Sequence, residues 1–233
     1  MKNRIIEVSI LAVSICVLGY ALNAGINSFK DKDRIVSVKG LAEMEVPANK
    51  ITWPLMFKDL GDDLPSLYTT INTKNKAIVA FLKANGIAEI EISVSAPEIL
   101  DMQAERYSSN APAYRYNATS VITVTSGDVD KVRKLMSEQT ELLKQGIAIT
   151  GGDYRYNVSY EFTKLNEIKP AMIEEATRNA RMAAEKFARD SESKLGKIRD
   201  ANQGQFSITD RDSNTPYIKN VRVVTTVNYY LKN

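Results

Sequence analysis

Carboxylates are the side chains in this sequence best arranged for acid–base work. Glu43 lies two residues from Glu45, Asp62 adjoins Asp63, Glu98 stands three residues before Asp101, and Asp210 two before Asp212. Glycoside hydrolysis needs two carboxyls about 5–10 Å apart across a cleft, and i, i+2 neighbours in a strand share one face. Any strand-rich chain offers such pairs by chance, however. Asp62 and Asp63 are better read as helix-start acids favoured by the helix dipole. The run Asp210-Arg211-Asp212-Ser213-Asn214 reads as a hydrophilic hairpin loop, and it lacks the turning glycine of a calcium loop. No catalytic residue is assigned, and the protein is expected to be no enzyme.

Composition removes most other chemistry. The 233 residues contain no histidine, so there is no Ser-His-Asp triad, no His-ligated zinc and no imidazole acid or base near neutral pH. Cys16 is the sole cysteine, which excludes disulfides within the chain and thiolate metal cages. Neither GxGxxG nor GxxxxGK[ST] occurs, so nucleotide chemistry has no support. No cofactor and no metal site are expected. The net charge of +3, from 31 basic against 28 acidic residues, gives no basic footprint for a phosphate backbone, and nucleic acid is not an expected partner.

One motif repeats. Tyr114-Arg115-Tyr116-Asn117 recurs as Tyr154-Arg155-Tyr156-Asn157. Tyr114, Arg115, Tyr116, Tyr154, Arg155 and Tyr156 are therefore the candidate ligand or partner surface, acting through stacking and cation–π attraction. The competing reading is cross-strand aromatic packing, since alternate tyrosines of a strand share a face. Trp53, beside Pro54 in an apolar run, reads as core or interface.

These residues must be positioned by a folded region behind an unusual N-terminus. Residues 1–4 form a short basic flank, and residues 5–26 carry Glu7 as their one charge. As a helix this stretch is about 33 Å long, against a hydrocarbon core of about 30 Å. It is expected to be an uncleaved transmembrane signal-anchor, followed by a polar tether at 27–33 and a globular region at 34–233. A cleavable secretory signal ending near Gly19-Tyr20-Ala21 is the alternative. The corresponding location is the inner membrane, single-pass, with the C-terminal region in the periplasm; the alternative is release into the periplasm.

Within 34–233, two β-rich runs flank Pro47-Ala48-Asn49 and are expected to pair as a hairpin, with Pro54 at an edge or bulge. A helix is expected from Pro65 to Asn85, lined by Leu67, Ile71, Ile78 and Leu82 and stopped by Gly86. Strands follow at 90–105 and 114–125, then a helix that opens after Ser126-Gly127-Asp128, buries Val129, Val132, Leu135 and Met136, and ends near Gln145 before Gly146. A strand is expected through 146–163, kinked or bulged at Gly151-Gly152. The longest helix is placed from Glu167 to Leu195, capped by Asn166 and stopped by Gly196. Its expected buried stripe is Ile173, Ala176, Ala180, Ala183 and Phe187, and Glu174/Arg178, Arg181/Glu185, Glu185/Arg189 and Asp190/Lys194 are expected as charge pairs on its outer side. Two strands close the chain, the last with Val221, Val223, Thr225 and Val227 on one face. The order argues for an α+β fold, an antiparallel-rich sheet with packed helices, one of them long and Ala-rich, plus an N-terminal transmembrane helix. The length suits one ordinary domain or two small ones.

Four stretches carry a family resemblance. IVSVKGLAEMEVPANKITWPLMF resembles the opening of the SIMPL-domain family, a strand with a Gly and small or acidic residues before a V-P turn. IVAFLKANGIAEIEISVSAPEI resembles its helix-Gly-Ile-strand unit, and AYRYNATSVITVTSGDVDKVRKLM its tyrosine-started strand leading through an aspartate turn to a helix. IEEATRNARMAAEKFARDSESKLGKIRDANQ is similar to its Ala-rich charged helix ending in L-G-K. Together these cover about residues 34–232. Trp53-Pro54 departs from the pattern, as does an uncleaved N-terminal helix. The resemblance implies an exported bacterial envelope protein of α+β fold, with relatives that form large ring-like oligomers and are linked to stress tolerance. It transfers no catalytic residues. The expected function is that of a non-enzymatic, membrane-tethered envelope protein acting by homo-oligomerisation or by binding an unidentified protein or envelope partner. The alternative is a binding module for peptidoglycan or lipid.

Overall fold

A computed structural model describes residues 11–23, 25, 34–104, 112–151 and 154–232. Residues 11–23 are helical with exposed side chains. Among the described residues no helix is long and apolar enough to cross a membrane. Positions 5–10, 24 and 26 of the expected 5–26 anchor, and all of the 27–33 tether, lie outside the described residues. The rest is α+β. The chain divides into two compact units, one of Met1–Met44, Leu165–Ile208 and Asn220–Asn233, the other of Glu45–Lys164 and Thr209–Lys219.

The second unit holds a five-stranded antiparallel sheet. β2 (Lys50–Gly61) lies between β5 (Tyr116–Ser126) and the short β6 (Ser159–Glu161), while β3 (Ile92–Val94) and β4 (Glu98–Asp101) both pair with β5. Alternation puts Ile51, Trp53, Leu55 and Phe57 of β2 on one face, beside Ala118, Ile122 and Val124 of β5. There they meet Leu67, Ile71, Ile78 and Leu82 of α1 (Leu64–Ala84), together with Val129, Val132 and Leu135 of α2 (Val129–Glu138) and Leu142 of α3 (Thr140–Lys144). Trp53 is thus a core residue. Asp63 caps α1 by accepting from the Ser66 N–H at 3.0 Å, and Asp128 does the same for Lys131 on α2. Gly86 and Gly146, both at positive φ, end α1 and α3 as their sequence positions suggest.

Pro54 sits in this sheet without a broken ladder. β6 covers β2 only at Lys50 to Thr52, and further along that edge Met56 accepts from the Thr150 N–H through its carbonyl at 2.7 Å. Residues 54 and 56 turn their backbone groups to the same side, so the missing proline N–H falls where no strand asks for it.

The first unit packs α4 (Leu165–Asp190) on a second sheet with the order β1-β9-β7, in which β1 is Ile35–Pro47, β9 Ile218–Lys232 and β7 Lys194–Gln203. β8 (Ser207–Asp210) also pairs with β9. The Leu231 N–H donates to the Arg34 carbonyl at 2.8 Å and Arg222 reaches Glu43 at 3.5 Å, so the start of β1 meets the end of β9 and the two run antiparallel. Val38, Val227 and Tyr229 from the sheet bury against Ala180 and Ala184 of α4.

Several expected elements are corrected. β1 and β2 do not form a hairpin: β1 pairs with β9 and β2 with β5 and β6, because the two strands bury their apolar faces in different sheets. The 90–105 run is no continuous strand. A turn of 3-10 helix at Glu89–Glu91 leads into β3, and Pro97 intervenes before β4. The 128–145 helix breaks at Gln139, where the Leu142 N–H turns to the Gln139 carbonyl at 3.0 Å. Residues 147–151 are not strand, Tyr154–Tyr156 is a 3-10 turn, and only Ser159–Glu161 pairs.

The long helix starts at Leu165, so Asn166 is inside it. It ends at Asp190, with Glu192 at φ 54 taking the left-handed position that Gly196 was expected to fill. Its buried stripe is Met172, Ala176, Ala180, Ala184 and Ala188, one residue on from the expected Ala183 and Phe187; Phe187 is 59% exposed. A strict four-residue spacing of alanines, rather than mixed three and four, tracks the line of closest approach to the sheet. Arg181 pairs with Glu185 at 2.9 Å as expected, whereas Asp190 pairs with Lys186 and Lys194 lies in β7. The final strand alternates as read, with Val221, Val223, Thr225 and Val227 buried.

Candidate functional site

The structure gives most of the candidate acids structural partners. Glu43 meets Arg222 at 3.5 Å and Glu45 meets Arg211 at 3.4 Å. Asp62 accepts from the Arg115 N–H at 2.8 Å, Asp63 caps α1, and Asp210 pairs with the buried Lys219. Asp101 binds Arg115, while Glu98 is exposed at the start of β4. Asp212 organises its loop: one oxygen accepts from the Asn214 and Thr215 N–H groups at 2.8 Å each, the other from the Thr215 hydroxyl and from Arg211. The Thr215 hydroxyl above all, with those backbone and guanidinium donors, brings its carboxyl down to about 2. Among the described residues no group of three or more His, Cys, Asp and Glu side chains converges as a metal centre.

The two Tyr/Arg copies take different conformations. Tyr114 and Arg115 lie in a bend before β5, with Tyr114 45% exposed, and Tyr116 is the first residue of the strand and packs on the core. Arg115 is tied to its neighbours while its side chain stays about half exposed. Its Nε and Nη2 donate to Asp101 Oδ2 at 3.1 and 2.9 Å, its carbonyl accepts from Met102, and its guanidinium lies 4.8 Å from the Tyr116 ring centre. The bond from Arg115 keeps the Asp101 carboxyl below the usual carboxylate range. In the second copy Arg155 lies 5.3 Å from the Tyr156 ring within a 3-10 turn. Thr150 and Ser159 bracket that turn along the edge of β2 opposite β5. The repeat is therefore parted by β2, and the six residues do not assemble as one strand face.

A cluster that sequence reading missed lies at the start of α2. The Arg133 guanidinium stacks 3.4 Å from the Tyr217 ring centre, and Tyr217 meets Tyr160 edge-on at 6.1 Å. Burial pushes the Tyr160 hydroxyl up despite the nearby Arg133. Beside this stack a cavity of about 500 Å³ is bounded by Pro47, Asn49, Asp128, Asp130 and Tyr217. Its polar groups are already engaged, Asn49 with Thr163 and Asp130 with Arg133. No sequence spacing announces the cluster, since its members come from three separate stretches. A second missed pair is Ser120, whose hydroxyl donates to Asn75 Oδ1 at 2.9 Å in the core between β5 and α1.

An α+β protein in two units, each with an antiparallel sheet, and with most of its candidate acids in structural contacts, is the class these observations define. The chain belongs to the SIMPL family, described as protein of unknown function (DUF541), whose family model matches residues 36–228. The chain matches no curated protein.

Proposed function

We propose that this chain is a non-enzymatic, membrane-tethered envelope protein that acts by self-association through the outer strand of its first unit. The observation that carries the reading is β1, 13 residues long and outermost in the order β1-β9-β7. The Arg34 carbonyl faces β9, so backbone groups of the odd-numbered residues from Ile35 onward face outward. The carbonyl of Leu41 on that side accepts from Asn179 Nδ2 at 2.8 Å, which caps one position of the edge while the rest of the strand continues past it. Outward backbone groups on a long strand are a template for pairing with another copy. The apolar 5–26 segment supplies the signal-anchor of the inner membrane, with the C-terminal region in the periplasm, and the family resemblance supports an envelope role connected with stress tolerance.

Light scattering of the full chain in detergent, at tens of micromolar, tests the reading: an oligomer is expected, and a monomer overturns it. Membrane fractionation with mass spectrometry of the N-terminus tests the anchor. Intact protein in a salt-washed soluble extract would remove it.

A further inference from the structure

All three long strands of the first unit's sheet bring a cation to one end. Arg34 precedes β1 and is tied through its carbonyl to Leu231; Lys232 ends β9 and stands opposite Lys194, which begins β7. All three side chains are exposed, as are Arg189 at the end of α4 and Lys197 in β7. Arg34 Nη2 donates to Ser193 Oγ at 3.0 Å, which fixes it against the turn between α4 and β7. Among the described residues the acids nearby are Asp190, paired with Lys186 at 3.1 Å, and Glu192 in the turn itself; in the sequence Asp31 and Asp33 precede Arg34, matched in number by Lys30 and Lys32. Like charges directly opposite on neighbouring strands destabilise a sheet. The Lys194/Lys232 pair is thus one that folding does not favour and that an external anionic surface would relieve.

The position of this end identifies that surface. Residues 27–33 separate Arg34 from the apolar segment, and seven extended residues span at most about 25 Å. Resting on the tether reading above, the cationic end is leashed to the headgroup layer, where basic side chains next to the anchor are attracted to acidic lipid. We propose that this end of the first unit docks on anionic phospholipid.

The test reconstitutes the full chain into vesicles of phosphatidylcholine alone, or with phosphatidylglycerol as a quarter of the lipid. A membrane-impermeant amine reagent then labels the lysines, read by mass spectrometry against the exposed Lys76 of α1. Labelling of Lys194 and Lys232 is expected to fall several-fold with phosphatidylglycerol and to recover in high salt. Equal labelling in both vesicles, or protection that salt leaves unchanged, overturns the proposal. Lys194→Glu separates charge from folding: it is expected to raise the melting temperature by removing the repulsion while abolishing the lipid-dependent protection. Unchanged protection in that variant also counts against docking. Extraction of the protein by an alkaline wash would sink the anchor alone. Docking is then judged by flotation of the same chain with phosphatidylglycerol vesicles, where salt-sensitive binding lost in Lys194→Glu sustains it and no binding refutes it.

Discussion

Gly40 of β1 lies directly against the backbone of Ala176 in α4: a Cβ placed on Gly40 would stand 1.8 Å from the Ala176 carbonyl oxygen and 2.5 Å from the Ala180 nitrogen. The helix crosses the strand at the one position without a side chain, and Ala176 and Ala180, fully buried, are the matching small residues on the helix. Helix backbone and sheet backbone cannot move apart here without uncovering Val38, Val227 and Tyr229.

Gly40→Ala is therefore expected to destabilise by about 3 kcal/mol or more, since the obstruction is backbone rather than a flexible side chain. Gly151→Ala is the control, with nothing within 4 Å of the added methyl, and its effect should stay within about 0.5 kcal/mol. Denaturant melts of the two variants decide; equal stability would mean that the crossing is loose.

Ser120→Ala strips the donor from a buried acceptor. Asn75 is 8% exposed and its Oδ1 receives the Ser120 hydroxyl, so the single variant should lose about 1–3 kcal/mol, whereas joint replacement with Asn75→Leu should recover much of it. The same loss in the single and the double variant would show that packing rather than hydrogen bonding holds this contact.

Acid should weaken the protein through two surface carboxylates. Asp212 falls from 3.8 to about 2 on folding, and Asp101 is lowered as well. Both groups are held ionised by their partners, so the stability they contribute is present above their unfolded values and is lost as pH drops through the folded ones. For Asp212 the window runs from about 4 down to about 2. Thermal melts across that range should flatten in Asp212→Asn, and a profile identical to that of the parent would contradict the assignment.

The repeated Tyr/Arg motif predicts a contrast within one copy. Tyr116 packs on the core and Tyr114 is substantially exposed. Tyr116→Ala should cost about 2–4 kcal/mol, and Tyr114→Ala should leave the melting temperature within error. If only Tyr114→Ala abolished retention of peptidoglycan or lipid, the ligand-binding alternative would gain over self-association.

Much of this was legible in local chemistry. Asp63, Pro65 and Gly86 delimit α1, and the alternation of β9 names its buried face, because caps, stops and strand periodicity are decided within a few residues. The Ala-rich helix was legible too, though not which of its alanines face the sheet.

What tertiary structure alone decided is partnership. A glycine is ambiguous in one dimension: Gly196, with the composition of a helix stop, is needed in β7 because a Cβ there would lie 2.7 Å from the Tyr230 carbonyl, while Glu192 takes the left-handed turn. Adjacent strands were equally ambiguous, for Pro47-Ala48-Asn49 suits a hairpin as well as a passage between two sheets. The four acid pairs and the Tyr/Arg repeat could be seen as residues, but not their partners. Arg115 meets Asp101 and Arg133 meets Tyr217 across stretches of chain that local rules do not connect. Such pairings minimise the free energy of the whole packed chain, which no window of sequence contains.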